Sequence, residues 1–232
     1  TGLWGQICHN EIAAFIGYAG ALLHVFNHAV FKGLLFLSAG SLIHSTRTGE
    51  IDRLGGLLKK LPWTGHLFLV GSLSICGLPL FNGFVSEWLV YRALFEGMFH
   101  FELNGIALSS LAVISLALIG GLAAACFAKA FGAIFLGNSR SIDITRVKEN
   151  SALMCVPMAV LGGICVWIGL FPAVMVSFAL GAAATMTSSP ISSATEGVII
   201  APLLTAVLVL SILIGTIAIL TLLKRTAMKF LP

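Results

Sequence analysis

Charged residues are scarce in this chain. Lys, Arg, Asp and Glu together make up 9% of its 232 residues, whereas hydrophobic residues make up 58%. Soluble domains carry about 25% charged residues, so the composition excludes an ordinary soluble domain. There is no basic stripe with interleaved aromatic residues, which argues against nucleic-acid binding. The apolar runs are continuous rather than alternating, which argues against a transmembrane β-barrel.

Cysteine motifs for metal binding are also missing. The chain has five cysteines, and none of them forms a CxxC or CxxCH motif or has zinc-type spacing to a histidine. Four lie in apolar runs, where cysteine usually packs as a small residue. The five are Cys8, Cys76, Cys126, Cys155 and Cys165. We therefore expect no iron–sulfur, haem or zinc cofactor here, and any redox centre would lie in a partner protein.

Long hydrophobic regions are what the chain does have. Each of five regions is long enough to cross a hydrocarbon core, which takes about 20 residues. They cover approximately residues 12–43, 65–95, 106–136, 152–180 and 198–223. The sequence therefore predicts an all-α, polytopic transmembrane helix bundle of about five spans. The chain begins with Thr and shows no signal peptide before the first region, which suggests a piece of a longer protein.

The segments outside these regions alternate along the chain between those that carry Lys or Arg and those that carry neither. Three segments carry them, namely residues 44–63, 137–150 and 224–232. The segments in between carry none, namely residues 1–11, 96–105 and 181–197. Because cytoplasmic loops carry the excess of Lys and Arg, this alternation predicts five crossings with the N-terminus outside and the C-terminus inside.

Three ionisable residues lie four residues apart in the first apolar region. The stretch is "LLHVFNHAVFKGLLFLSAG". In a helix, residues four apart differ by only about 40° around the axis, so His24, His28 and Lys32 lie on one face and form a column about 12 Å long. Ionisable groups at this depth are costly and usually mark an ion pathway, and histidine titrates near neutral pH. We interpret the column as a proton pathway. The alternative is a pair of histidines bonded to carbonyls and a structurally paired lysine.

The second apolar region contains residues that break helices. Gly77, Pro79 and Gly83 fall within seven residues of "SICGLPLFNGFVSEWLVYR". Proline lacks the backbone donor, and broken helices at membrane depth recur at ion sites. The sequence therefore predicts that this span is a broken helix, with Glu87 just beyond the break as a protonatable group of the pathway. The alternative places Glu87 at the membrane interface as an ordinary polar residue.

Two further features of the apolar regions are less decisive. Lys129, in the third region, is either part of the pathway or a lysine that reaches the interface, since it lies about eight residues from the inner end. Pro157 and Pro172 are candidates for kinks in the fourth region. We expect no site in the fourth and fifth regions.

Three motifs in order resemble a known family. "HVFNHAVFKGLLFLSAGSLIH", "RLGGLLKKLPWT" and "GLPLFNGFVSEW" resemble the antiporter-like membrane subunits of respiratory complex I, Mrp-type sodium/proton antiporters and membrane-bound hydrogenases. The last motif is most similar to the membrane subunit of formate hydrogenlyase and energy-converting hydrogenases. The resemblance implies that Lys32, His24 and His28 match the family's lysine and histidines on the helix before the second broken helix. It implies that Glu87 matches the protonatable residue of that broken helix, and Lys129 falls on the following helix.

The resemblance also implies a division of the chain. Residues 1–137 would be the C-terminal portion of the proton-translocating domain, with three spans, and residues 138–232 would add two further transmembrane helices. The family's first repeat has no counterpart in this sequence. Either it lies on another chain or the sequence is a fragment.

The implied function is proton translocation within a membrane oxidoreductase complex of the hydrogenase, formate hydrogenlyase or NADH:quinone oxidoreductase type. This chain would supply the proton pathway and no redox centre. Its partners would be the lipid bilayer, other antiporter-like membrane subunits and hydrophilic redox subunits with iron–sulfur clusters, at a bacterial or archaeal cytoplasmic membrane. Two alternatives remain, a sodium/proton antiporter component without a redox partner and a non-catalytic truncated scaffold.

Overall fold

The structure is a computed structural model that describes residues 2–7, 10–100, 103–140, 144–187 and 193–230. Cys8, one of the five cysteines, lies outside the described residues. Within those ranges the chain forms eight α-helices, and two short 3₁₀ turns at Ile51–Arg53 and Leu57–Lys59. The helices are α1 Gly2–Ile7, α2 Glu11–Thr46, α3 Pro62–Ile75, α4 Asn82–His100, α5 Leu103–Phe135, α6 Ala152–Leu170, α7 Pro172–Ala184 and α8 Ser193–Phe230.

The predicted all-α membrane bundle is confirmed. Three helical segments are long and apolar enough to cross a membrane on their own: Glu11–Thr46, Gly105–Phe135 and Ala152–Leu170. Pro172–Ala184 and Ile199–Ile214 are shorter apolar segments. The second predicted span is the broken helix, because it is divided into α3 and α4. The chain is therefore a multi-pass membrane protein.

Helix α2 is the central element, and α3 and α4 run antiparallel to it. The C-terminal half of α2 packs on α3, where Leu35 lies against Gly71. The N-terminal half packs on α4, where a Cβ built on Gly20 would lie 3.1 Å from the Cβ of Leu89. Glycines at these positions let the helices approach closely, as is common in membrane bundles. The break between α3 and α4 therefore faces the middle of α2.

The fourth predicted span differs from the structure, because residues 152–180 form two helices rather than one. Helix α6 ends at Leu170, and α7 begins at Pro172. Phe171 between them has φ −121° and ψ 60°, outside the helical region, because a following proline disfavours helical backbone at the residue before it. Pro157, in contrast, lies inside α6 without ending it.

Helices α6 and α7 together run along the same length of α2. Met158 and Cys165 of α6 share a buried cluster with Phe31 and Leu34 in the second half of α2. Helix α7 shares another cluster with the first half of α2, formed in part by Phe15, Ile16, Val176 and Leu180. The second broken span therefore flanks the first one, and both are antiparallel to α2.

Two of the three Lys/Arg-rich segments meet at one end of the bundle. The backbone N–H of Gly56 donates to the carbonyl of Leu136, at 3.0 Å, so the loop after α2 and the loop after α5 are joined. At the other end, the Nε2 of Gln6 donates to the carbonyl of Met186, at 3.4 Å. This joins two of the segments that carry no Lys or Arg. The pairing agrees with the same-side placement expected from loop charge.

Candidate functional site at the helix break

The break between α3 and α4 is built from residues with unusual backbone angles. Gly77 has φ 62° and Leu80 has φ 76°, both in the left-handed region. Glycine adopts this conformation at little cost, whereas a leucine there is strained. Pro79 lies between them and has no N–H to continue the helix. Gly83 lies beyond the break, in the first turn of α4.

A pair of asparagines fixes the break against α2. Asn27 and Asn82 are both fully buried. The Nδ2 of Asn27 donates to the backbone carbonyl of Asn82 at 2.7 Å, and the Nδ2 of Asn82 lies 3.3 Å from the backbone carbonyl and from Oδ1 of Asn27. The Oδ1 of Asn82 is buried and accepts no hydrogen bond from the described residues. The pair holds the start of α4 at the middle of α2.

His24 and His28 lie beside this pair. The Nδ1 of His24 is 3.1 Å from the Oγ of Ser86, which in turn donates to the carbonyl of Gly83 at 3.0 Å. The ring centroids of His24 and His28 are 6.1 Å apart. The buried ring of Phe31 contacts His28 edge-on, with centroids 5.3 Å apart. His24 is half-buried and His28 is exposed, so the column lies at the edge of the interface between α2 and α4.

The carboxylate of Glu87 lies directly against Gly77. A Cβ built on Gly77 would overlap Oε2 of Glu87 and would lie 2.8 Å from Cδ and 3.0 Å from Oε1. Glu87 is half-buried and forms no ion pair with any described residue. The missing side chain at position 77 therefore makes the room that the carboxylate occupies. The structure places this carboxylate at the break, level with the middle of the bundle.

Lys32 extends the column toward α3. It lies eight residues after His24, which is about 12 Å along the helix axis. Because Leu35 lies against Gly71 and the helices are antiparallel, Lys32 is level with the last turn of α3. It is half-buried, and among the described residues it has no ion-pair partner. The C-terminus of a helix carries partial negative charge, which suits a cation at this level.

Lys129 is set apart from these residues. It is exposed on α5, and no hydrogen bond or ion pair joins it to the part of the chain that the structure describes. The structure thus gathers His24, His28 and Glu87 around the break, adds Lys32 one level further along, and gives Lys129 no contact that links it to them. Whether Lys129 serves the pathway stays a prediction.

Asn82 and Gly169 are among the residues that shape the site but were not singled out from the sequence. Asn82 opens α4, and an asparagine soon after a proline-containing break is a known helix-start signal that could have identified it. Gly169 lies at the end of α6, where a Cβ would overlap the backbone carbonyl of Leu80 and would lie 2.5 Å from the amide nitrogen of Phe81. The sequence carries no signal for that long-range contact.

Comparisons with known proteins place these residues in a family. Residues 5–119 match the family described as NADH:quinone oxidoreductase/Mrp antiporter, transmembrane. Hydrogenase-4 component B of Escherichia coli (strain K12) is 36% identical over 199 residues, which are 85% of this chain and 30% of that protein. Formate hydrogenlyase subunit 3 of the same organism is 35% identical over 170 residues, which are 72% of this chain and 27% of that protein.

Other relatives are antiporter subunits and two solved complexes. The Na(+)/H(+) antiporter subunit A1 of Staphylococcus saprophyticus is 35% identical over 168 residues, 71% of this chain and 20% of that protein. A chain of the Mrp complex from Dietzia sp. DQ12-45-1b matches this chain with a TM-score of 0.61 and 20% identity, which supports the fold. The match covers 74% of this chain and 38% of the Mrp chain. The membrane-bound sulfane sulfur reductase, an archaeal respiratory complex, matches 69% of this chain and 26% of its own at a TM-score of 0.55 and 27% identity.

These matches cover the site but not the whole of the relatives. The chain spans about 30% of the length of hydrogenase-4 component B and a similar or smaller share of the others. The matched residues 5–119 contain α2, α3 and α4, and with them the asparagine pair, the histidine column and the carboxylate at the break. Through these residues, the chain belongs to the NADH:quinone oxidoreductase/Mrp antiporter family of transmembrane proteins.

Proposed function

We propose that this chain is part of a proton-translocating membrane subunit of a multi-subunit oxidoreductase complex, of the hydrogenase, formate hydrogenlyase or NADH:quinone oxidoreductase type. The single observation that carries the proposal is the carboxylate of Glu87, without an ion-pair partner among the described residues, against the Gly77 backbone in the middle of a membrane bundle. Isolated ionisable groups at such a depth usually serve ion transfer. The hydrogenase and formate hydrogenlyase relatives favour protons and a redox partner.

The proposed route follows the contacts at the break. Ser86, the neighbour of Glu87, is within hydrogen-bond distance of His24. From there His28 and Lys32 continue the column along α2, about one helical turn per step. The ring centroids of the two histidines are 6.1 Å apart, too far for a direct proton transfer, so water molecules would bridge the steps. The buried Oδ1 of Asn82 offers an acceptor for such a water at the break.

The exposed surroundings of the route favour a covering by neighbouring membrane subunits. His28 is exposed, and no residue in the most apolar window of α5 is buried within the described structure. In a membrane, a histidine and a lysine at mid-depth need a protein or water surrounding rather than lipid. We therefore assign the covering role to further antiporter-like segments or subunits, and the electron supply to hydrophilic redox subunits with iron–sulfur clusters.

The remaining expectations belong to the same proposal. Residues 1–137 would form the C-terminal portion of the proton-translocating domain, residues 138–232 would add two helices, and Lys129 would lie on the inner part of the route. The membrane would be the cytoplasmic membrane of a bacterium or archaeon. The N-terminus would lie outside and the C-terminus inside, since two of the three Lys/Arg-rich segments meet at one end of the bundle.

The test replaces the two residues that the route cannot do without. Glu87→Gln and Lys32→Ala in the intact complex should lower the number of protons moved per electron, while the redox activity measured with a soluble acceptor persists. Glu96→Gln is the matched control, because it makes the same change two and a half turns along α4, where Glu96 pairs with Arg92 at 3.7 Å. Unchanged proton yield in both site variants, with the complex assembled, would reject the proposal and leave a scaffold role.

A sodium/proton antiporter is the second candidate. The 35% identity to a Na(+)/H(+) antiporter subunit and the fold shared with an Mrp complex favour it. The same residues would act, but without electron transfer. Proton flux in inside-out vesicles that depends on added sodium, and occurs without any electron donor, would support this candidate. Flux that requires an electron donor and ignores sodium would support the redox-linked proposal.

A further inference from the structure

Two adjoining cavities open at the end of the bundle where the Lys/Arg-rich loops meet. The first, the basic pocket, has a volume of about 470 Å³ and lies between the end of α2 and the loop that precedes α6. The second, the apolar groove, has a volume of about 380 Å³ and lies along the start of α6. Asn150 lines both cavities, so they share a wall.

The basic pocket is lined by three cationic side chains and a histidine. Arg47, Arg146, Lys148 and His44 all line it, and none of its lining residues is acidic. Arg47 ends α2 in the left-handed conformation, with φ 59°, which fixes where its backbone lies. Guanidinium groups bind phosphate oxygens in pairs, and an ammonium group adds a point charge. A pocket of this composition suits a phosphate-bearing anion.

The apolar groove suits a hydrocarbon chain. Its walls are mainly the side chains of Trp63, Val156, Ala159 and Cys155. Trp63 and Val156 expose more than half of their surface. An exposed tryptophan such as Trp63 is typical of the membrane interface. Glu149 also lines the groove, but its Oε2 accepts from the N–H of Trp63 at 2.8 Å and faces the start of α3. Its negative charge is therefore directed at a helix N-terminus.

The shared wall is held in place by hydrogen bonds. The Nδ2 of Asn150 donates to the carbonyl of Ser41 at 2.7 Å and lies 2.6 Å from its Oγ. The Oδ1 of Asn150 is 2.8 Å from the Nδ1 of His44. The Oγ of Ser41 also lies 2.8 Å from the Oγ1 of Thr64. The Thr64 hydroxyl donates in turn to Oε1 of Glu149. The two cavities are thus formed by the fold itself, which lowers the cost of binding a ligand.

We infer that these cavities form a binding site for an anionic phospholipid of the surrounding membrane. The phosphate of the headgroup would lie in the basic pocket, and an acyl chain would follow the apolar groove along α6. A cationic pocket that adjoins an apolar groove at the lipid interface matches an anionic headgroup with a chain attached. The inference does not depend on proton translocation, because none of the residues at the break takes part.

The experiment compares lipids and charge variants of the purified protein in mild detergent. Thermal unfolding is followed while dioleoylphosphatidylglycerol, dioleoylphosphatidylcholine or inorganic phosphate is added. The pocket variant is Arg47→Asn with Lys148→Gln, since asparagine tolerates the left-handed backbone at position 47. Arg146 is kept, because this residue also takes part in an interaction within the protein. The control variant, Lys59→Gln with Lys60→Gln, removes the same charge from exposed positions further along the loop after α2, outside the pocket lining.

The expected result is stabilisation by the phosphatidylglycerol alone. The pocket variant should need a higher concentration of it, by roughly fivefold for each charge removed, and the control variant should behave as the wild type. Native mass spectrometry should show retained anionic lipid on the wild type and not on the pocket variant. If the double variant is unstable without lipid, Lys148→Gln alone repeats the titration.

Three results would overturn the inference. Equal weakening in the pocket and control variants would mean a general charge effect of the loops. Stabilisation by inorganic phosphate to the same extent as by the lipid would mean a site for a free anion, with no role for the groove. The same response to phosphatidylcholine as to phosphatidylglycerol would mean that the basic pocket does not select an anionic headgroup.

Discussion

The contact between Gly77 and Glu87 allows one prediction to be worked out in detail. Replacing Gly77 by Ala adds a single methyl group at a backbone position with φ 62°. That methyl group would occupy the space that the carboxylate of Glu87 now fills. The substitution therefore has two separate consequences, a strained backbone at the break and a displaced carboxylate.

The two consequences differ in size. A left-handed conformation costs a non-glycine residue roughly 1–2 kcal/mol. The displacement costs less in stability, because the carboxylate is the far end of a flexible side chain and can rotate away for about 1 kcal/mol or less. We expect Gly77→Ala to lower the free energy of unfolding by roughly 1–3 kcal/mol in total. The larger effect should be on proton transfer, because the carboxylate leaves its place at the break.

A matched control separates the two consequences. Gly137 has φ 74° and no atom within 4 Å of the position that a Cβ would take. Gly137→Ala therefore carries the backbone strain without any displacement. The assay measures unfolding in mild detergent and proton translocation in vesicles for both variants. We expect similar losses of stability, and a loss of translocation in Gly77→Ala alone.

Two results would refute this reasoning. Normal translocation in Gly77→Ala would mean that the position of the carboxylate against residue 77 does not matter for function. Equal loss of translocation in both variants would mean that backbone strain anywhere in the chain disturbs function, with no special part for the break. The infrared band of the Glu87 carboxyl group, assigned with Glu87→Gln, provides a direct check that the group has moved.

Two other contacts lead to predictions of stability. Asn27→Ala should lower the free energy of unfolding by roughly 1–2 kcal/mol in a detergent titration, because the buried carbonyl of Asn82 loses its donor; an unchanged midpoint would contradict this. Glu149→Gln should cost roughly 0.5–2 kcal/mol and speed amide hydrogen exchange at Trp63 and Thr64, which both donate to this carboxylate. Unchanged exchange at these two amides would contradict the capping role of Glu149.

The sequence is enough to predict the fold class and the first break. Continuous apolar runs leave few options besides membrane helices, and Pro79 between two glycines marks the interruption, because it removes a backbone donor. The spacing of His24, His28 and Lys32 likewise fixes their common face on α2. These features depend on neighbours in the chain, and local geometry decides them.

The asparagine pair could not be predicted in the same way. Asn27 and Asn82 meet only because α2 and α4 are antiparallel and aligned at a certain depth, and the sequence does not specify that alignment. The same holds for Glu149, which looks like an ordinary loop carboxylate until the loop before α6 is seen to contact the start of α3. Sequence periodicity shows which face a residue occupies, whereas the partner on that face depends on packing.

The division of the fourth span shows why a region without ionisable residues matters to the site. A backbone that leaves the helical pattern at membrane depth must be covered by protein or line a hydrated cavity, since lipid cannot satisfy its polar groups. At the first break, Gly169 lies against the backbone carbonyl of Leu80 and the amide of Phe81, a contact that any side chain would prevent. Helix α6 then ends at the next residue, Leu170. The two breaks thus lie side by side, and the span that carries no charge packs directly against the break of the span that carries Glu87.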